Sequence, residues 1–561
     1  MTALPSIPTP PGPRDGKRLS PWRVLVGILA VLAVAAGGVL GYRLLVVDQA
    51  RASTVAPWFT GYVDTTLTPQ YGFEAPEVEA DDHVVLSFVV AASADQCAPS
   101  WGGAYSLDAA ASDLDLDRRI ARLRQVGGDA VVSFGGAAGV ELATACTDVE
   151  QLTAAYRSVV ERYDLSTIDL DVEADDLADT VAGERRAQAL AELQDERRSD
   201  GHPLAVWLTL PVMPTGLADE GTHVVDQMLA AGVDLAGVDV MTMDYGVDLG
   251  GRSMGAAAID ALNAVHDQLR AAYATIDATP TDATLWARLG ATPMIGQNDV
   301  AGEVFTLDDA AELNRFAQEK QLGRLSAWSL NRDRSCGPNH PDLGTVSNLC
   351  SGVDQGQQTF AATLAEGLTG TPGALPEVPD VSPTASATPS PGSSAAPGRG
   401  HEAEAPADDP ATSPYPIWSD TTTYLAGSKV VWHGTVYQAK WWTLGDAPDA
   451  PVDEATATPW LLLGPVLPGE TPHPTPTVPP GTFPEWSGTD VYQEGDHVLF
   501  RGVPYVAKWW TQGDSPAAAQ KDSAASPWYP LDAAQVAQIV GGVGTRTATP
   551  TPAERRTSDA G

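Results

Sequence analysis

Basic residues are scarce in this 561-residue chain: 33 Lys and Arg stand against 72 Asp and Glu, a formal charge of -39. Such an excess of negative charge would repel a phosphate backbone, so nucleic acid is excluded as a partner and a neutral or cationic ligand is favoured. Cysteine is rarer still. The four present, Cys97, Cys146, Cys336 and Cys350, form no C-x-x-C pair, and the nine histidines are scattered, which argues against zinc and leads us to expect neither metal nor other cofactor. A G-x-G-x-x-G turn is also missing after the first strand-like segment, which leaves a doubly wound open sheet as only the second choice of fold.

What is present begins with an uncharged run from Val24 to Tyr42 ("VLVGILAVLAVAAGGVLGY"), preceded by Arg14, Lys17, Arg18 and Arg23. As a helix it would span about 28 Å, close to the bilayer core, and the basic flank keeps the N-terminus inside. This predicts a cytoplasmic tail (1–23), a membrane signal anchor (24–47) and an extracellular remainder. A cleaved signal peptide, giving a secreted protein, is the alternative, since "AVA" and "ARA" offer small-residue sites. All four cysteines lie on the exported side and read as two disulfides. Proximity in the chain makes Cys336–Cys350 the easier pair and leaves Cys97 with Cys146, although four cysteines allow three connectivities.

From about 58 to 366 apolar strand-like runs alternate with amphipathic helical ones: "WFTGYV", "VVLSFVV", "AVVSFGG", "TIDLDVE", "LAVWLTLPV", "GVDVMTMDY", "ATPMIG" and "RLSAWSL", separated by segments such as "DRRIARLRQV" and "AIDALNAVHDQLRAAY". Eight such units in one domain predict an α/β fold, a closed (β/α)8 TIM barrel. Residues 367–414 and 465–481 are rich in Pro, Ser, Thr and Ala and read as linkers, and 540–561 as a disordered tail. Between them an internal repeat recurs 68 residues on. Trp418 matches Trp486, Tyr424 matches Tyr492, Tyr437 matches Tyr505, and "AKWWT" occurs at 439–443 and 507–511. Modules over 415–464 and 482–532 are too short for a large core. Adjacent tryptophans on one strand would face opposite sides, which leaves at least one exposed and suited to a sugar face.

The stretch "STIDLDVEADD" (166–176) places Asp169, Asp171 and Glu173 at alternate positions, with Ile168, Leu170 and Val172 between. On a strand the three acids share one face, where mutual repulsion and scarce water raise at least one pKa. Proton handling and an exposed acidic edge strand are both compatible with spacing alone.

Two resemblances bear on that choice. The repeat Y-x-x-G-x-x-V-x-x-x-G-x-x-Y-x-A-K-W-W-T-x-G resembles chitin-binding modules of carbohydrate-binding families 5 and 12, which implies chitin contacts by Trp441, Trp442, Trp509 and Trp510, with Trp418 and Trp486 as helpers. The barrel resembles glycoside hydrolase family 18, the chitinases. The family motif D-x-x-D-x-D-x-E is met by Asp169, Asp171 and Glu173, with Ser166 in place of the first Asp. Ser133-Phe134-Gly135-Gly136 matches S-x-G-G, and "MTMDYG" resembles M-x-Y-D through Met241 and Asp244, with Met243 in place of Tyr and Tyr245 next door. Trp328 stands where the family has its sugar-stacking Trp.

The family implies hydrolysis of β-1,4 bonds between N-acetylglucosamine units by a retaining, substrate-assisted mechanism. It makes Glu173 the acid and base, Asp171 the partner of the acetamido group, and Asp169 the tuner that shares a proton with Asp171. Asp244 and Tyr245 would hold the acetamido group, and Ser133, Gly135 and Met241 would shape the site. The implied partner is chitin or its oligosaccharides. A catalytically weak chitin-binding surface protein and a hydrolase of another N-acetylglucosamine polymer, such as peptidoglycan, remain open alternatives.

Overall fold

The computed structural model describes residues 56–76, 79–338, 345–373, 408–424, 426–452, 457–472, 481–501, 503–517, 526–531 and 536. The tail and apolar run expected over 1–23 and 24–47, most of the 367–414 linker, residues 473–480 of the second linker and the 540–561 tail lie outside them. Among the described residues no helix is long and apolar enough to cross a membrane.

Eight strands build the first unit: β1 (Trp58–Asp64), β2 (His83–Ser93), β3 (Asp129–Gly135), β4 (Thr167–Asp171), β5 (Ala205–Pro211), β6 (Leu235–Met241), β7 (Leu289–Thr292) and β8 (Arg324–Ala327). Each pairs in parallel with the next. Trp58 of β1 pairs with Arg324 of β8, so the sheet closes into the expected barrel. Helices α1 (Leu116–Gln125), α2 (Val149–Arg162), α3 (Thr180–Ser199), α4 (Asp219–Ala230), α5 (Met254–Thr275), α6 (Leu307–Lys320) and α7 (Phe360–Ala365) follow strands β2 to β8 in turn. Between β1 and β2 the described residues form only a 3-10 turn, Glu79–Asp81.

Helix α3 escaped the amphipathic patterns because its buried face is partly polar. It carries Gln194 and Arg186 as well as Ala and Leu, and Arg186 is neutralised by an equally buried Glu141. The disulfides are Cys97–Cys146 and Cys336–Cys350, with Cα separations of 4.6 and 5.0 Å. The second clips the irregular segment that follows β8.

Alternation within β4 sends Ile168 and Leu170 into the apolar layer between strands and helices, where Val172 joins them. Asp169 and Asp171, on the other face, are buried in the barrel interior. The strand ends at Asp171, two residues earlier than the sequence pattern suggests. Glu173 lies in the bend beyond it, followed by Ala174 at φ 51° and a short helix, Asp175–Ala178. That bend frees the Glu173 side chain from the pleat, so it stands above the row formed by the two aspartates.

Each C-terminal repeat forms a three-stranded antiparallel sheet, Lys429–Trp432, Thr435–Ala439 and Trp460–Pro465 in the first, His497–Phe500, Val503–Ala507 and Trp528–Pro530 in the second. Their cores correspond residue by residue: Tyr424, Val430, Tyr437, Ala439 and Trp460 against Tyr492, Val498, Tyr505, Ala507 and Trp528. The indole N–H of Trp460 donates to the Asp446 carbonyl at 2.9 Å, and that of Trp528 to the Asp514 carbonyl at 2.7 Å. The paired tryptophans lie past the end of the second strand, in a bend. Opposite strand faces therefore do not explain their exposure, because the bend turns them outward.

Gly135, the last residue of β3, sits at φ 96°, and a Cβ there would collide with the Asp171 carbonyl oxygen. Because left-handed strain and a backbone clash coincide, Gly135→Ala is expected to cost at least ~2 kcal/mol of stability in urea unfolding.

Candidate active site

The C-terminal ends of the barrel strands enclose two adjoining cavities of about 230 and 310 Å³. Glu173, Met241, Met243 and Asp244 line both, so they form the partition where the two spaces meet. The smaller cavity also reaches Tyr62, Phe88, Asp171, Thr209 and Trp328, whereas the larger is walled by Pro211, Val212, Met213 and Ala218. A wider depression of about 810 Å³ lies elsewhere, between residues 246–254 and 300–312. Its acids include Glu303, which accepts the backbone N–H groups of Tyr245 and Gly246, and Asp309, which accepts those of Gly255 and Thr306. Both carboxylates are already committed to structural bonds, whereas around Glu173 paired acids stand over an aromatic floor.

Beneath the smaller cavity the barrel interior is a charged network. Asp169 accepts from the hydroxyls of Tyr62 (2.9 Å), Ser133 (2.7 Å) and Thr209 (2.7 Å) and from the Arg324 guanidinium (2.8 Å). Arg324 is also ion-paired with Asp239 at 3.2 Å, and all three side chains are fully buried. Asp239 accepts in turn from Thr292 and Ser326. Asp169 is thus held by four donors, and no hydrogen bond to Asp171, the partner implied by the family resemblance, is among them.

Asp171 is 5% exposed, and its Oδ1 has no hydrogen-bond partner among the described residues. Burial, first, and then the charges of Glu173, Asp169 and Asp239 push its carboxyl well above the ordinary range, against the pull of Arg324. Glu173 is raised too, again chiefly by burial, then by Asp176 and Asp244. Like-charge crowding was the anticipated cause of these shifts, but loss of solvent outweighs it.

Trp328 forms one wall, its ring stacked on Phe88 with centroids 5.5 Å apart and edge-on to Tyr62 at 6.0 Å. Asp244, at φ 50°, is held by an N–H donated from Val300 at 2.8 Å, while its own N–H donates to Asn298 at 3.2 Å. Burial raises its carboxyl as well.

The structure brings Asp171, Glu173, Met241, Asp244 and Trp328 together around the cavities. Ser133 and Gly135 act behind them, the serine on Asp169 and the glycine against the Asp171 backbone. Tyr245 does not line either cavity. It is 4% exposed, and its hydroxyl has no partner among the described residues. The tyrosine that lines the cavity is Tyr62, its hydroxyl held in the network beneath by Asp169 and Arg324; sequence reasoning missed it although the alternation of Trp58, Thr60 and Tyr62 marks an inward face. Asn348 also reaches the cavity, from the loop clipped by Cys336–Cys350, and no local pattern announces it.

In the modules Trp441, Trp509 and Trp510 are 46%, 45% and 57% exposed, and Trp442 is half-buried. Lys440 and Lys508 lie 4.8 Å above the rings of Trp441 and Trp509, a matching cation–π contact in each copy. Trp418 and Trp486 are half-buried instead, each with its indole nitrogen covered and packed against Trp432 and Phe500 respectively.

Residues 417–461 and 485–528 match the model for carbohydrate-binding module family 5/12. Over 290 residues the chain is 39% identical to the probable bifunctional chitinase/lysozyme of Escherichia coli (strain K12), an alignment that covers 50% of this chain and 31% of that protein. It is 37% identical over 283 residues to Endochitinase 11 of Metarhizium anisopliae, covering 49% of this chain and 52% of that one. The chain therefore spans about a third and about half the length of these two relatives. Among solved structures, the catalytic domain of a hyperthermophilic chitinase from Pyrococcus furiosus is similar at 29% identity, over 55% of this chain and 95% of that one, with a TM-score of 0.46.

Because folding holds the Asp171 carboxyl above its ordinary pKa, the protonated form is favoured in the native state. That stabilisation is complete below the unfolded value and is lost as pH rises through the raised one. Asp171→Asn removes the cost of burying the charge, so it should stabilise the protein by ~1 kcal/mol or more at neutral pH, with the gain vanishing near ~pH 4. Thermal unfolding at the two pH values reads this out.

Proposed function

We propose, for a barrel similar to chitinases followed by two family 5/12 carbohydrate-binding modules, that the protein is a chitinase that cleaves β-1,4 bonds between N-acetylglucosamine units. The observation that carries this reading is the position of Glu173. A carboxyl with a raised pKa stands on the partition between two cavities, one floored by aromatic rings and a protonatable aspartate, the other open and apolar. That is where an acid must stand to protonate an oxygen linking two sugars.

In the first step Glu173 gives its proton to the glycosidic oxygen as the C1–O bond breaks. The acetamido carbonyl oxygen of the sugar in the smaller cavity attacks C1 and closes an oxazolinium ring, so the protein needs no carboxylate nucleophile. Asp171 accepts the acetamido N–H through a carboxyl oxygen, and in its ionised form offsets the positive charge that develops on the ring. The Glu173 carboxylate then takes a proton from water, which attacks C1 and reopens the ring with retention. Trp328, braced by Phe88, supplies a face for the sugar, and Tyr62 rather than Tyr245 lines the smaller cavity. Asp169, held by four donors, fixes the layer beneath Asp171.

The exposed tryptophans of the modules support chitin as the insoluble substrate, and acting on such a polymer places the enzyme outside the cell. The apolar run Val24–Tyr42 and its basic flank support a membrane anchor with the barrel outside. The domain divisions at 58–366, 415–464 and 482–532 are retained as working boundaries.

Incubation with chitin oligosaccharides, with peptidoglycan as a parallel arm, should yield acetylated products from chitin in the wild type. Glu173→Gln should lower kcat ~10³-fold with chitin adsorption unchanged; near wild-type turnover would overturn the assignment. The acid step requires protonated Glu173, so activity falls as pH rises through its raised pKa. Asp244→Asn removes one of the neighbouring charges that raise that pKa, and the alkaline limb of kcat/KM should move to lower pH.

A further inference from the structure

The two modules share a core but differ in what surrounds it. The last strand of the first module runs against α1 of the barrel. Gly464, at φ 143°, comes so close that a Cβ there would lie 2.6 Å from the Arg118 carbonyl oxygen and 3.0 Å from the Arg122 side chain. Arg118, 4% exposed, reaches across from the first turn of α1. It donates to the Pro465 carbonyl and, with both terminal nitrogens, to the Glu470 carboxylate. Asp115, at the start of the same helix, accepts Lys429 of the module at 2.5 Å. The Tyr415 ring lies 5.9 Å from the Arg118 guanidinium and 5.4 Å from the Lys429 ammonium. A bidentate Arg–carboxylate pair has directional geometry, and pairs as buried as these are little screened by salt.

The repeat provides an internal control. At the matching positions, 68 residues on, the second module has Phe483 for Tyr415, His497 for Lys429, Asp532 for Gly464, Ala533 for Pro465 and Gln538 for Glu470. Its core residues are retained, whereas every group that grips the barrel is changed. The apolar residues on the gripping side follow suit: Val431 and Leu463 are buried in the first module, while Leu499 and Leu531, their counterparts, are half-buried.

Docking does not use up the sugar-binding face. Thr435 pairs with Pro465, so the contact at Gly464 and Pro465 lies at the end of the sheet opposite Trp441, and although Lys429 pairs with Gln438 at the nearer end, Trp441 stays 46% exposed. Because crossover helices run antiparallel to the barrel strands, the first turn of α1 lies on the side of the strands' C-terminal ends, the side that holds the cavities.

We propose that the first module is a fixed chitin platform, latched to the catalytic barrel by Arg118 and Asp115, and that the second is an untethered anchor. The two copies then do different work. The first presents an insoluble surface to the cleft in one orientation, and the second only raises local concentration. This inference rests on the chitinase reading for its substrate but not for its geometry.

The test uses the soluble chain from residue 53 with Glu470→Arg, Lys429→Glu and the paired exchange Arg118→Glu/Glu470→Arg. Each single variant should enlarge the radius of gyration in small-angle scattering and lower release of soluble sugar from crystalline chitin at least ~3-fold, with short-oligosaccharide kinetics and chitin adsorption unchanged. The paired exchange should recover both properties. An unchanged radius in both single variants, or an enlarged one with undiminished action on crystalline chitin, would overturn the proposal. So would equal losses from Trp441→Ala and Trp509→Ala. If the wild type cleaves no oligosaccharide, the chitinase reading fails instead, and scattering still decides the latch.

Discussion

Arg324 enters the barrel interior from β8 with no exposure to solvent and is neutralised by two equally buried carboxylates, Asp169 and Asp239. A lone guanidinium there would be strongly destabilising, and either aspartate without it would be too; together they offset one another. The surrounding hydroxyls of Tyr62, Ser133, Thr209, Thr292 and Ser326 all point at this cluster. The aromatic faces of Trp58, Tyr62 and Trp207 lie 5.5 to 5.6 Å from the same guanidinium. Seven strands, all but β2, are thereby tied together by hydrogen bonds and ion pairs, and the side chains above inherit their positions from that network.

The chemistry of the upper layer follows from that balance. Asp171 is shut away from water above the buried aspartates and close to Glu173, so its carboxyl is held well above the ordinary carboxylate range. Glu173, released from the strand by the bend at Ala174, has more solvent and a smaller share of the repulsion, yet is still raised. Two carboxyls of the same local sequence are thus given different environments, one sealed from water above the buried cluster and one at the boundary of two cavities. Trp328 and Phe88, from β8 and β2, supply the flat surface without adding charge.

The modules illustrate a different constraint. A unit of this size has room for one Trp and two Tyr at its centre, and both copies place them identically. Of the remaining aromatics, Trp418 and Trp486 are half-buried, and the paired tryptophans lie in a bend with a lysine over the first of each pair. The copies differ at each group that meets the barrel, where Gly464 permits backbone contact and Glu470 meets Arg118.

Local patterns alone were enough to mark the eight-strand series, the shared face of Asp169 and Asp171 and the repeat, and to favour the cysteine pairing that was found, because alternation, spacing and composition are local properties. Tertiary structure decided the rest. It saturated Asp169 with donors from four other strands, β1, β3, β5 and β8, put Tyr62 rather than Tyr245 at the cavity, carried Asn348 in from a disulfide-closed loop, and hid the polar face of α3 against Glu141. It also made burial rather than repulsion the main cause of the raised carboxyls. These outcomes depend on which distant residues share a low-dielectric interior, and that is known only once the barrel has closed.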